Sequence, residues 1–360
     1  MNSLNPGLLR FHDTFEKRIW GGQKLRTLFN KDIARARVAE PIGEDWLVAD
    51  RPGAESVVSD GPLAGLTLHT LIERDPGAVL GQLPRLTAQG RFPLLLKLID
   101  ASEMLSVQVH PDDDCARRLG EPDSGKTEMW YVLHADKRAE LICGLQPDVT
   151  PQTLRKAVAD GTVERLLPRY AATEGLSLLV PAGAVHTIGA GVMLAEIQQN
   201  SDLTYRLYDW NRVDDDGKPR QLHLDKAFDA IRFGATPPKP SHPLTYDCGG
   251  ARCSVLSVCR YFAAELIELN GPLRRNTGRR SFHILLVKNG DIQLSVDGHE
   301  TSLKPGEAAL VCGTAARFDL TGAGALLDYY VPDIATDIMG KLQTAGHAID
   351  EIKSLGDGTF

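Results

Sequence analysis

The chain is built from short apolar or alternating runs cut off by glycine, proline and aspartate, and this punctuation limits its fold more than any other feature. FPLLLKLID (92–100), EMLSVQVH (103–110), EMWYVL (128–133), LSLLVPAG (176–183) and GVMLAEIQ (191–198) are the clearest. Each is too short for a buried helix of ~10–12 residues or a membrane span of ~18, and each has the length and flanking turn residues of a strand. Helix-period stretches interrupt the pattern at TLHTLIERD (67–75), at TPQTLRKAVADGTVERLLPRYA (150–171), which opens with a Thr-Pro start signal, and at DKAFDAIRF (225–233). The expectation is a mainly β chain with helical insertions at about 66–90 and 150–171.

The segment GATPPKPSHP (234–243), with four prolines, reads as a linker. Strands resume beyond it in SFHILLVKNG, DIQLSVDG, HETSLKPGEAALVCG and GALLDYYVP. Asn289-Gly290 and Asp297-Gly298 are hairpin signals, so a second small barrel or sandwich is expected. Toward the end Ile334, Ile338, Leu342, Ala345, Ile349 and Ile352 recur at helical spacing, an amphipathic helix interrupted by Gly340 and Gly346. Its apolar face is expected to dock on this same chain. The predicted division is 1–235, 236–332 and 333–360, in keeping with ~150 residues per domain.

Forty basic and 47 acidic residues give a net charge of −7, which argues against a broad nucleic-acid or anionic-membrane surface. An anionic small molecule is still compatible, because it needs only a few converging Lys and Arg. The N-terminal residues contain no uninterrupted apolar core of a secretory leader. Six scattered cysteines without a Cys-x-x-Cys pair predict reduced core thiols and a cytoplasmic protein. Cys248, Cys253 and Cys259 with His242 fit no common zinc template.

Three stretches concentrate residues able to bind a metal. In Ser106-Val107-Gln108-Val109-His110, residues two apart share a strand face, so Ser106, Gln108 and His110 point together. In Gly125-Lys126-Thr127-Glu128, Lys126 and Glu128 share a face in the same way, and Pro181-Ala182-Gly183-Ala184-Val185-His186 is a turn ending in histidine. Taken singly, His110 reads as a satisfied core histidine and Glu128 as an exposed strand end. Their coincidence within about 80 residues favours a metal site. Two His, one Glu and one Gln suit a borderline cation with an open coordination position.

These residues carry a resemblance. Gly175, five residues on, then Pro181-x-Gly183-x-x-His186 matches the second cupin motif, and Gln108-x-His110 with a displaced Glu128 resembles the variant first motif of mannose-6-phosphate isomerases. LSVQVHPDD, GKTEMWYVL, VPAGAVHTIGAG, EIQQNSDLTYRLYDWNR and GKPRQLHLDKA resemble that family's short bacterial form, as do Arg18-Ile19-Trp20-Gly21-Gly22 and Gly43-Glu44-Asp45-Trp46. The likeness spans roughly 8–332, and the helical tail is longer than such members usually carry.

The resemblance implies a cupin-type jelly-roll catalytic barrel and a second C-terminal β-barrel. It also implies one zinc ion held by Gln108, His110, Glu128 and His186. It places Ser106, Lys97 and Arg206 at the phosphate end or the reacting oxygens, Lys126 in the active site, and Glu196 and Asp202 as candidate acid/base carboxylates. The implied reaction interconverts mannose 6-phosphate and fructose 6-phosphate through an enediolate, in a monomer or homodimer.

The residue pattern agrees with much of this. Glu196 lies ten residues after His186 and ten before Arg206, and it interrupts an apolar run that would desolvate it toward a general-base pKa. Lys97 interrupts a nearly all-apolar strand and needs an anion or a route to water. Arg206 and Asp202 also have a structural reading as an ion pair. Two other functions use a similar pocket: an iron-dependent cupin oxygenase and a non-catalytic sugar-phosphate sensor. Arg274, Arg275, Arg279 and Arg280 read as a solvated loop, and Asp214, Asp215 and Asp216 as a turn.

Overall fold

The computed structural model describes residues 5–36, 40–214 and 216–358. The chain forms two units, one from Phe15–Asp45 with Leu96–Pro240, the other from the chain up to Thr14 with Trp46–Leu95 and everything from Ser241. The architecture is mainly β, as the punctuated sequence requires.

In the first unit a six-stranded sheet runs in the order Ser177–Val180, Glu128–Ala135, Val192–Gln199, Leu94–Ala101, Ile42–Val48, Phe15–Gly22. A five-stranded sheet runs Arg169–Ala171, Glu140–Cys143, His186–Ile188, Val107–Val109, Tyr205–Tyr208. Inward-facing residues of both, among them Ile99, Trp130, Leu141, Ile188 and Leu194, form one core, so the sheets pack face to face. The outer face of the five-stranded sheet, with Val107, Val109, Ile142 and Leu207, is covered by the helices Pro151–Ala159 and Leu224–Ala230 through Leu154, Ala227 and Ala230. The first of these helices starts where Thr150 accepts a hydrogen bond from the Thr153 amide at 3.2 Å. It stops at Ala159, well short of residue 171, because Asp160-Gly161 ends it and the chain turns into a 3₁₀ segment and a strand.

The second unit centres on a nine-stranded sheet in which His283–Val296 and Arg317–Tyr330 are the long partners. Asp297-Gly298 makes the expected hairpin to His299–Leu303. Asn289-Gly290 does not: it lies inside the long strand, where Gly290 has φ +77° opposite Gly324. A Cβ there would sit 2.0 Å from the Ala323 carbonyl oxygen, so glycine serves close backbone approach at a register shift rather than a turn. The insertion at 66–90 contains Leu68–Arg74 and Pro76–Leu80 and packs in this unit, with the Phe282 amide donating to the Leu80 carbonyl.

Cys248 and Cys253 form a disulfide, because the hairpin of Leu244–Asp247 and Ala251–Val258 brings their Cα atoms to 6.4 Å; Cys115, Cys143, Cys259 and Cys312 are free and buried. Arg274 and Arg275 lie on a strand, and Arg275 is partly buried against Glu265 and Asp328 at 2.9 and 3.3 Å, so the solvated-loop reading fails there, while Arg279 is exposed in a turn. The tail does dock on its own unit, Ile338, Leu342 and Ile352 packing on Val255, Val258 and Tyr330. However, it is broken into a π turn and two short helices that leave Ala345 and Ile349 exposed. Asp215 lies outside the described residues. Among the described residues no helix is long and apolar enough to cross a membrane.

Glu265 ties this unit together, accepting from Tyr246, Tyr330 and Arg275. Burial alone would raise its pKa, but Arg275, Lys341 and the two phenols outweigh that and bring it down to about 2. Its stabilising contribution is therefore complete above the ordinary value of 4.5 and is lost as pH falls from there toward 2. Glu265→Gln takes one of two carboxylates from Arg275, leaving Asp328 at 3.3 Å, and is expected to cost roughly 1–3 kcal/mol at neutral pH in a urea unfolding curve. The variant should also flatten the acid limb of stability against pH.

Candidate active site

The two facing sheets bring the polar residues to one place. On the five-stranded sheet Gln108 lies directly opposite His186 on one side and Arg206 on the other, and His110 follows two residues later on the same face. On the six-stranded sheet Glu128 sits between Val180 and Gln198, Glu196 opposite Trp130, and Lys97 on Leu94–Ala101. The turn before His186 aligns both histidines. Gly183, at φ +87°, donates its amide to the His110 carbonyl at 2.8 Å, and the next residue, Ala184, turns its carbonyl to His186 Nδ1 at 2.9 Å.

His110 Nδ1 lies 2.7 Å from the Leu203 carbonyl. A carbonyl only accepts, so in both histidines Nδ1 carries the proton and Nε2 presents a lone pair. Those Nε2 atoms lie 3.4 and 3.3 Å from the two oxygens of Glu128, which are buried and receive no well-directed hydrogen bond. Lys126 Nζ stands 2.9 Å from one of them as an ion pair. Burial, with the Lys126 charge, pushes His110 down to about 3, and burial also lowers His186, so both are neutral imidazoles. Burial opposes the charge on Glu128, yet Lys126, His110 and His186 hold its pKa well below the ordinary range. Two lone pairs facing an under-bonded carboxylate fit a metal cation, and the donor atoms lie within 4.8 Å of one another. The Gln108 amide lies beside the group, its nitrogen 3.4 Å from His186 Nε2; exchanging the amide atoms presents oxygen instead.

Beside these donors is a cavity of about 310 Å³ whose lining includes Lys97, Ser106, Lys126, Glu196, Asp202 and Arg206. Glu196 accepts from the Trp130 indole at 2.9 Å and lies 3.6 Å from Lys97 and 4.0 Å from Lys126. Burial and the Glu128 charge raise its pKa, against the pull of Lys126, Lys97 and Trp130. Arg206 donates to Ser106 at 3.3 Å and to the Gln221 carbonyl at 2.9 Å; it forms no ion pair with the exposed Asp202 among the described residues. Gln108, Lys97, Ser106, Lys126, Glu196, Asp202 and Arg206 line this cavity, and His110, Glu128 and His186 form the donor group beside it.

Three charged wall residues have no role in the sequence reading: Arg18, Glu44 and Arg220. Arg18 holds Glu44 through two hydrogen bonds of 3.2 and 2.9 Å, and Glu44 approaches Lys97 at 3.9 Å. Their signal lay in the motif stretches around 18–22, 43–46 and 217–227, which matched as strings without pointing to a task.

Residues 8–136 match the family model for the catalytic domain of type I phosphomannose isomerase, and residues 253–331 that for the cupin domain of mannose-6-phosphate isomerase. The chain is 33% identical over 306 residues to the mannose-6-phosphate isomerase of Streptococcus mutans, covering 85% of this chain and 92% of that protein. It is 34% identical over 315 residues to the mannose-6-phosphate isomerase ManA of Bacillus subtilis, covering 87% and 96%. The crystal structure of the mannose 6-phosphate isomerase from Bacillus subtilis is similar with a TM-score of 0.80 at 32% identity, covering 90% of this chain and 99% of that one.

A divalent transition-metal ion at 1,000 times its Kd is expected to add roughly 4 kcal/mol to the stability of metal-stripped protein, read as a rise in Tm. His186→Ala or Glu128→Gln should abolish that rise.

Proposed function

The chain belongs to the mannose-6-phosphate isomerase family and is an isomerase, and on that premise we propose that it interconverts mannose 6-phosphate and fructose 6-phosphate with one zinc ion held by Gln108, His110, Glu128 and His186. The observation that carries this reading is a buried carboxylate of raised proton affinity, Glu196, sharing one cavity with the His110–Glu128–His186 donors. Two neutral imidazoles, a carboxylate and an amide suit zinc with a position left open for substrate. When bound, the ion supplies Lewis acidity to the oxygens that bear charge as the carbonyl moves between C1 and C2.

The chain's own residues do the rest. Glu196 is the base that takes the C2 proton of the aldose and returns it to C1, passing through an enediolate. Its carboxylate is aimed by Trp130 and kept from full neutralisation by two lysines at 3.6 and 4.0 Å. Lys97 and Lys126 lie where charge develops on the sugar oxygens. Arg206, steadied by Ser106 and the Gln221 carbonyl, holds the phosphate. Asp202, exposed on the wall, is the less apt of the two candidate carboxylates because water already solvates it. The relatives' names favour this reading over the oxygenase and the sensor. We place the protein in the cytoplasm, as a monomer or homodimer.

A coupled assay on metal-stripped protein, before and after zinc is restored, tests the proposal. Turnover of mannose 6-phosphate is expected only after zinc is returned, with solvent deuterium appearing at C1 of the product. Glu196→Gln is expected to lower kcat by about 10²–10⁴-fold, and Asp202→Asn by less than about tenfold. Glu196 works deprotonated and its pKa is raised, so kcat/KM should fall with decreasing pH through a value above 4.5. No turnover with any divalent metal, or oxygen consumption with iron(II), would sink the isomerase reading.

A further inference from the structure

Arg220, which lines the cavity beside Arg206, is held from behind by a carboxylate. Its Nε and Nη2 donate to the two oxygens of Asp209 at 2.7 and 2.6 Å, a bidentate pair, and Arg212 adds a third hydrogen bond to Asp209 at 2.6 Å. Asp209 is buried, so this brace is shielded from competing water. Arg206 sits against the same segment, because its Nη1 donates to the carbonyl of Gln221, the residue after Arg220. Both Arg206 contacts, Ser106 and Gln221, are neutral. Arg220 keeps Nη1 free of protein partners among the described residues.

The charges do not cancel. Three guanidiniums, Arg206, Arg212 and Arg220, answer to one buried carboxylate, so +3 against −1 leaves +2. Glu103, 3.6 Å from Arg212, is mostly exposed, as are Asp202 and Asp214, so their attraction is weak beside that of the buried Asp209. A phosphate monoester carries about −1.5 to −2 near neutral pH, which is the charge this wall lacks.

We propose that Arg220, braced by Asp209, is a second phosphate-binding cation alongside Arg206 and sets the preference of the site for a phosphorylated over a free sugar. This rests on the sugar-phosphate reading above and adds to it a residue and a brace. Arg220 meets the phosphate itself, while Asp209 is a positioning residue that acts by fixing the guanidinium plane. Lys97, held between Glu44 and Glu196, is left to the reacting oxygens.

The test measures binding of inorganic phosphate and of mannose 6-phosphate to the zinc-loaded protein by calorimetry, with KM for mannose 6-phosphate and inhibition by free mannose read in parallel. Arg220→Gln is expected to weaken both phosphate ligands and to raise KM by about tenfold or more, leaving kcat and mannose inhibition within about threefold. Arg220→Lys should fall between it and the wild type, because a point charge cannot grip Asp209 and phosphate in one plane. Asp209→Asn should shift KM the same way by less, and add little on top of Arg220→Gln. Unchanged phosphate binding in Arg220→Gln, or an equal loss for free mannose, overturns the proposal. If Arg220→Gln does not fold, Arg220→Lys decides: phosphate binding equal to wild type overturns it. Absent isomerase turnover in a wild type that binds phosphate through Arg220 would instead count against the reaction proposed above.

Discussion

The negative charge on Glu128 is the constraint around which the first unit is arranged. A carboxylate with no exposed surface, in the space between two sheets, would ordinarily be neutralised. Here Lys126 and the two histidines keep it ionised, and the carbonyls of Leu203 and Ala184 force both imidazoles to turn lone pairs toward it. The Lys126 ammonium stands 3.2 Å from His110 Nε2 and the Gln108 amide 3.4 Å from His186 Nε2, yet the Glu128 oxygens that both lone pairs face receive no well-directed hydrogen bond. The arrangement makes sense around a cation, and the strands, the turn at Gly183 and the placement of Lys126 all serve to hold it.

The second unit provides the contrast. Glu265 is just as buried, yet its oxygens accept from two phenols and a guanidinium, and Asp328 takes His283 and Arg275. Every acceptor there has a donor, which is the signature of a cluster that organises a core. The two units thus use the same residue types for different ends. What separates them is whether the hydrogen-bond accounting closes without a guest.

Much of this was legible in the sequence, for a physical reason. Side-chain alternation along a strand is a strict rule, so Ser106, Gln108 and His110 had to share a face, and Lys126 had to share one with Glu128. The turn residues before His186 were equally direct. What could not be read were relations set by register and by pairing across the fold. Asn289-Gly290 has the composition of a hairpin, but the long strand opposite it absorbs the pair at a register shift. Arg275 looked solvated because its carboxylate partners lie 10 and 53 residues away. Arg220 was hidden for a related reason, since its importance comes from a brace eleven residues back and a neighbour, Arg206, fourteen residues back.

The interleaving of the two units has a consequence for the order in which the chain matures on the ribosome. The unit that holds His110, Glu128 and His186 uses no residue beyond Pro240, whereas the other unit draws on Leu8–Leu9, Trp46–Leu95 and everything from Ser241. At roughly 5–20 residues per second, the 120 residues from 241 to 360 take about 6–24 s to be made. During that interval the ligand-bearing sheets are already complete in sequence, while Leu8–Leu9 still waits for its partner strand, Ala308–Val311. Vectorial synthesis therefore favours the unit of the two facing sheets over its companion, and Leu8–Leu9, made well before their partner strand, are among the last to find their place.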